Sequence, residues 1–256
     1  MSDFLKSMAK LSAERAAEAV VPDSAPAQTA APLTLKQFDV IAEIKGHSPS
    51  EGVLAKDDLD RGEQARRYVS GGAAVISVLT EPSRFAGSLE HLKEVVAAVP
   101  DTPVMRKDFL VETVQIAEAR AAGASGVLLI ATMLDDAKLN DMLDSAFDHE
   151  LFVLLETFDE EDLRRTSSVL ERPKYQEQAE NGQLLVGVNT RNLRTLEVDP
   201  NRLEKLAPAL PAARCVAESG LHTAADAATA AQLGYHLALV GSALMRSDDP
   251  AALISA

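Results

Sequence analysis

Eight times along this chain a short apolar run, suited to a strand buried on both faces, is followed by an amphipathic stretch with helical spacing. The runs are Val40–Ile44, Ala74–Leu79, Pro103–Met105, Gly126–Ile130, Leu151–Leu155, Leu184–Val188, Cys215–Ala217 and Leu237–Val240. The stretches after them are Asp60–Val69, Leu89–Val99, Val111–Ala122, Asp135–His149, Glu160–Leu170, Pro200–Ala207, Thr223–Leu233 and Pro250–Ile254. Strands that are apolar without alternation belong in a parallel sheet with both faces covered. Helices between them supply the crossovers that parallel pairing requires. Eight such units favour closure into a (β/α)8 TIM barrel over an open doubly wound sheet. The sequence also offers no short or charged strand to guard the two edges of an open sheet. The predicted fold class is therefore α/β, with two flavodoxin-like halves as the alternative that the pattern leaves open.

Ahead of the first run, residues 2–19 place Phe4, Leu5, Met8, Leu11 and Ala16–Ala17 on one side of a helix. Residues 21–32 are rich in Ala, Pro, Ser and Thr without periodicity, as in a flexible connector. The expected organisation is an N-terminal helical extension and linker over 1–32 and a catalytic barrel over 33–256, within the usual size of one barrel. Residues 172–183 are polar and interrupt the even spacing between the fifth and sixth strands. They are predicted to be a surface insertion on or after the fifth helix.

With 39 acidic against 25 basic residues the formal net charge is −14. A surface of that sign repels phosphate backbones and anionic headgroups, which argues against nucleic acid and membrane partners. It still permits a small anionic substrate, since a few cations inside a cleft dominate the local field. The one cysteine, Cys215, lies in an apolar run and reads as a buried thiol. No apolar stretch reaches the roughly 18 residues that span a bilayer, and no secretion signal is recognisable at the N-terminus. The expectation is a cytoplasmic protein, monomeric, with a small molecule for a partner.

In a barrel of this kind the working groups stand at the C-terminal strand ends and just beyond. There the first strand carries Glu43 and Lys45, the third Lys107, the fifth Glu156, the sixth Asn189 and Arg191, and the seventh Glu218. Glu43 and Lys45 are two residues apart, so both point to the same face, and charge in an apolar strand is costly unless it is used. A buried structural ion pair is the other reading of those two. Two lysines and two glutamates around one mouth shift each other's pKa values and suit general acid–base work. Ser219-Gly220 and Gly241-Ser242 follow strands seven and eight, where glycine lets backbone N–H groups approach an anion closely and a helix N-terminus adds its dipole. Arg106, Lys174 and the remaining scattered basic residues are expected on solvated faces. Of the histidines only His47 is expected near the mouth. No cluster has metal-ligand spacing, and neither nucleophile-elbow nor phosphate-loop motifs occur, so catalysis without metal or organic cofactor is expected.

Taken together, several segments resemble the indole-3-glycerol phosphate synthase family. They are Val40–Ser50, Ile76–Glu81 with Phe85-Ala86-Gly87, Val104–Phe109, Gln115–Ile130, Val186–Leu193, Ala217–Leu221 and Leu239–Met245, in the family's order. The resemblance implies closure of an indole ring, with decarboxylation and dehydration of 1-(2-carboxyphenylamino)-1-deoxyribulose 5-phosphate. It implies Lys107 as the general acid at the sugar carbonyl, and Glu156 and Lys45, assisted by Glu43, in the dehydration. Lys45 and Arg191 would offset the substrate carboxylate, Asn189 would hold a hydroxyl, and Glu218 would orient neighbouring groups. Phe85 and Phe109 would pack on the aromatic ring. Ser48, Ser219, Gly220, Gly241 and Ser242 would line the site, the last three holding the phosphate. It further implies a place among enzymes of tryptophan biosynthesis, and an N-terminal segment that helps to cover the mouth.

Departures from the family pattern fall at Gly46 and His47, at Thr157-Phe158, and at Thr190 and Asn192 on either side of Arg191. A paralogue with an altered substrate, or a silent barrel that binds a phosphorylated ligand, is the alternative. Retention of Glu43, Lys45, Lys107 and Glu156 argues against the silent barrel. A phosphoribosylanthranilate isomerase is disfavoured, because that reaction uses a Cys–Asp pair and Cys215 lies inside the seventh strand.

Overall fold

The computed structural model describes residues 2–21, 30–48, 52–54, 59–192 and 197–256. Eight parallel strands form its centre: β1 (Asp39–Ile44), β2 (Val75–Leu79), β3 (Val104–Lys107), β4 (Gly126–Ile130), β5 (Phe152–Thr157), β6 (Leu184–Asn189), β7 (Arg214–Glu218) and β8 (Leu237–Val240). Each pairs with its neighbours in sequence, and β1 pairs with both β2 and β8, so the sheet closes. This is the (β/α)8 barrel expected from the alternation, and it excludes the two-halves reading. Most strand residues are buried because barrel interior and helix layer cover both faces, which is why the runs read as continuous apolar stretches.

The helices begin on side-chain caps facing the C-terminal mouth. Asp60, Ser88, Asp135, Asp159 and Thr223 each accept from a backbone N–H three residues on. One apolar cluster runs from the barrel interior through the helix layer and includes Leu5 and Met8 of the N-terminal helix Asp3–Ala17. That helix buries Leu5, Met8, Ser12 and Ala16, whereas Ala17, placed on the apolar side by the sequence, is exposed. Ser12 is buried because its hydroxyl accepts from Gln115 Nε2 at 2.9 Å. Among the described residues no helix is long and apolar enough to cross a membrane.

Three expectations change. Strands β3, β5, β6 and β7 run one or two residues further toward the mouth than their apolar runs, so Lys107, Glu156, Asn189 and Glu218 stand inside the ladder. The register pairs Leu79 with Lys107, Ile130 with Glu156 and Asn189 with Glu218. Arg106 is not solvated: it is 3% exposed and points outward beneath the helices. There its guanidinium donates to Gln115 O at 3.0 Å, Glu118 at 2.8 Å and Thr80 Oγ1 at 3.2 Å. Outward from a barrel is not outward to water, since a helix layer intervenes.

The polar stretch 172–183 follows the fifth helix, as expected, but it is not simply surface. It contains a helix, Pro173–Glu180, whose Tyr175 is fully buried against Phe147 and donates to Asp144 at 3.0 Å. Lys174 stays half exposed and pairs with Asp144. Cys215 is buried as expected, and burial pushes its thiol up to about 12.

Candidate active site

In an eight-stranded barrel each interior layer is built from alternate strands. The odd strands here put Glu43, Lys107, Glu156 and Glu218 into the uppermost layer, where an ordinary barrel places aliphatic side chains. The Lys107 ammonium lies 3.4 Å from Glu156 Oε2, 3.5 Å from Glu218 Oε2 and 4.0 Å from Glu43 Oε2. Lys45 Nζ stands 3.0 Å from Glu43 Oε1, as two residues of one face should. Asn189 Nδ2 donates to Glu156 Oε1 at 2.9 Å, while its Oδ1 accepts from Arg191 N at 2.9 Å. The amide group thus ties the β6 turn to the charged layer.

This layer floors a cavity of about 690 Å³, the size of a small-molecule site. Of the residues singled out in the sequence, Glu43, Lys45, Phe85, Lys107, Phe109, Glu156, Asn189, Arg191, Glu218, Ser219, Gly220, Gly241 and Ser242 all line it. Ser48 pairs through its backbone with Gly52 in a two-residue ribbon, and its side chain lies outside what is described. Pro49 and Ser50 also lie outside the described residues. His47 Nδ1 contacts the Arg84 carbonyl at 2.9 Å, which fastens that ribbon to the short helix Pro82–Phe85.

The electrostatics of the layer are uneven. Burial raises the pKa of Glu43, but Lys45 and Lys107 outweigh it and the net shift is downward. Burial lowers that of Lys107, yet Glu156, Glu218 and Glu43 together carry it upward, so the ammonium is held. For Glu218 burial and the adjacent Glu156 act in the same direction, and its carboxyl is raised well above the ordinary range. Its Oε1 finds no hydrogen-bond partner among the described residues.

At the far end of the cavity Ser219 and Gly220 both take positive φ, 65° and 74°, and turn the chain sharply out of β7. A left-handed serine costs about 1 kcal/mol, and such strain is retained where the surroundings impose it. Gly241 starts the turn Ser242–Arg246 and is held small from inside the barrel. A Cβ there would strike Glu43 Oε1 and come within 3.0 Å of Lys45 Nζ. The two Gly–Ser turns end neighbouring strands, and Arg191 and Arg246 line the same cavity.

Phe4, Arg246 and His222 also line the cavity and were not singled out in the sequence. Phe4 comes from the N-terminal helix and meets Phe109 edge-on, ring centres 5.9 Å apart, with Phe85 on the other side at 6.0 Å. Its signal was the apolar stripe of that helix, but nothing local said which surface the stripe covers. Arg246 lies one helical turn past Ser242, a spacing that pointed to it. His222 also lines the cavity, so His47 is not alone near the mouth. The departure at Thr157 is structural: that hydroxyl is buried and donates to Gly187 O at 2.7 Å.

The indole-3-glycerol phosphate synthase family model matches residues 8–256. An indole-3-glycerol phosphate synthase of a Nocardioides species is 47% identical over 212 residues, 82% of this chain and 76% of that protein. The protein of the same name from Paenarthrobacter aurescens is 44% identical over 250 residues, 96% of this chain and 86% of its own length. Among solved structures, 3-hexulose-6-phosphate synthase from Salmonella typhimurium superimposes with a TM-score of 0.62 at 17% identity, covering 85% of this chain and 95% of its own. That likeness speaks for the barrel alone. With the family model spanning nearly the whole chain and relatives well above 40% identity, the chain belongs to the indole-3-glycerol phosphate synthase family.

Proposed function

We propose that this chain is an indole-3-glycerol phosphate synthase, a carboxy-lyase that converts 1-(2-carboxyphenylamino)-1-deoxyribulose 5-phosphate to indole-3-glycerol phosphate. The observation that carries the reading is the Lys107 ammonium, held among three carboxyl groups in a cavity that two Gly–Ser turns also line.

The ring carbon bearing the carboxylate attacks the sugar carbonyl, and the carbonyl oxygen takes a proton from Lys107 as charge develops on it. Carbon dioxide then leaves and returns its bonding pair to the ring. The new hydroxyl departs as water with a second proton, while a proton from the former C1 passes to a carboxylate. We assign that role to Glu156, which lies 3.4 Å from Lys107, with assistance from Lys45 and Glu43 at the end of β1. Two protons are delivered and one is recovered, so each turnover consumes one proton for each carboxylate lost as carbon dioxide.

Arg191 and Lys45 offset the substrate carboxylate, Asn189 holds a hydroxyl, and Glu218 orients the group beside it. Phe85 and Phe109 pack on the aromatic ring. Gly220, Gly241 and Ser242 hold the phosphate, and Ser219 and Ser48 line the site. The same reading carries a cytoplasmic monomer that works among the enzymes of tryptophan biosynthesis.

The test follows indole fluorescence as the purified protein meets this substrate without added metal. Lys107→Ala should lower kcat by about 10²–10⁴-fold, the usual contribution of a positioned acid, with KM little changed. A Lys107→Ala variant turning over like the unaltered protein would remove the acid from its role. Saturable binding of a reduced analogue without turnover would instead indicate a paralogue with an altered substrate or a silent barrel.

A further inference from the structure

We infer that Glu218 stands in the site as a neutral carboxylic acid and stores the second proton, reloading Lys107 between ring closure and dehydration. This rests on the ring-closure reading above and names how that same site meets its demand for two protons.

Glu218 ends β7, is 1% exposed, and touches Lys107 Nζ through Oε2 at 3.5 Å. Its Oε1 has no partner among the described residues and lies over Gly187, where an added Cβ would overlap it. The charged groups facing it are Lys107 from β3, Glu156 from β5, and Glu43 with Lys45 from β1; Asn189 of β6 is uncharged. Two ammonium groups meet three carboxyl groups, so full ionisation would leave one buried negative charge uncompensated, which an enclosed site does not sustain.

The contacts decide which carboxyl is protonated. Glu43 has Lys45 at 3.0 Å, and Glu156 has both Lys107 and the Asn189 amide at 2.9 Å. Glu218 has its share of Lys107 and otherwise meets the Glu156 carboxyl, a contact that two carboxylates hold only with a proton between them. It is therefore the weakest supported as an anion, and burial beside Glu156 pushes its pKa the same way.

The chemistry then uses that proton. After Lys107 has protonated the carbonyl oxygen it is a neutral amine. The O–H bond of Glu218 breaks, an N–H bond forms on Lys107, and Glu218 is left as a carboxylate. An amine is more basic than a carboxylate, so this transfer runs downhill. The renewed ammonium protonates the departing hydroxyl, and Glu156 takes the C–H proton. That proton and one from solvent restore the starting state, in agreement with the net consumption of one.

The experiment compares the unaltered protein with Glu218→Gln, which keeps the shape and neutrality of the acid but has no proton to give. With glutamate labelled at the side-chain carboxyl carbon, one carbon-13 resonance absent from the variant should report a protonated carboxyl at pH 7. The variant should keep its KM and lose kcat by on the order of a hundredfold. The decline of kcat with rising pH that the store imposes should vanish with it. A resonance titrating near the ordinary glutamate value of about 4.3 overturns the inference. So does a variant with unaltered kcat and pH profile, as a merely orienting role would give. If the unaltered protein shows no turnover, the ring-closure reading falls and the reloading role with it. Turnover with an ordinary resonance removes the inference alone.

Discussion

At Gly241 the demand for a glycine comes from the barrel interior as well as from any anion outside it. An alanine Cβ would collide with Glu43 Oε1 and crowd Lys45 Nζ, so Gly241→Ala should displace that pair while leaving the turn's backbone amides in place. The expected result is a fall in kcat of at least about tenfold, a fraction of a full acid–base contribution, with a smaller change in KM. Steady-state kinetics at one pH decides it, and a rise in KM alone would show that the phosphate contact dominates. The glycine was legible in the sequence, but its steric partner was not: closure sets β8 beside β1, yet only the register, Ala42 against Val240, brings Gly241 onto Glu43. Glu43 and Lys45 were readable from their spacing of two and the cost of burying charge. Arg106 was misread for the complementary reason: strand alternation gave its direction, but not the Gln115 carbonyl and Glu118 that receive it.

Among the elements, the N-terminal helix bears most directly on the site. Arg15 reaches from it to Asp108 at 2.7 Å and to Glu81 at 3.6 Å, both buried carboxylates beside the working strands. Asp108 lies between Lys107 and Phe109, and Phe4 of the same helix packs on Phe109. The helix therefore clamps the end of β3 from outside while closing one side of the cavity. Arg15→Met should destabilise the protein by about 2 kcal/mol. That is less than a fully buried pair, because Arg15 is partly exposed and Arg106, Thr80 and the Phe109 amide still serve Asp108. It should also raise KM more than it lowers kcat, since Phe4 loses its fixed seat, and amide exchange along Asp3–Ala17 should quicken. An unchanged KM with faster exchange would mean that the helix end is not part of the binding wall. The strands were legible to within a few residues as continuous apolar runs, and most helices because they are long enough to show their period. The helix Pro173–Glu180 was not, since its buried face amounts to Tyr175 and Ala179 in an otherwise polar stretch. None of its residues lines the cavity.

For the whole molecule, closure of the sheet was readable because eight equal units leave no strand suited to an edge, and the matched segments fixed the order of the charged strand ends. Net charge was equally plain, but its relation to the site emerges only from the assembled cavity. Lys45, Lys107, Arg191 and Arg246 line it together with Glu43, Asp108, Glu156 and Glu218, so its walls are nearly balanced inside a molecule of net charge −14. A substrate carrying a phosphate and a carboxylate is then repelled at long range and held only by close contacts. The screening length shrinks from about 30 Å at 0.01 M salt to about 8 Å at 0.15 M. Added salt should therefore weaken the distant repulsion first and leave contacts of 3–4 Å largely intact. The expected outcome is a rise in kcat/KM of about two- to threefold over that range, opposite in sign to an enzyme that steers its substrate by charge. The measurement is kcat/KM for the carboxyphenylamino sugar phosphate against ionic strength at fixed pH, with a salt that carries no phosphate or sulfate. A monotonic fall would mean that the field at the mouth is positive despite the charge of the body, and that the basic wall outweighs the carboxylates beside it.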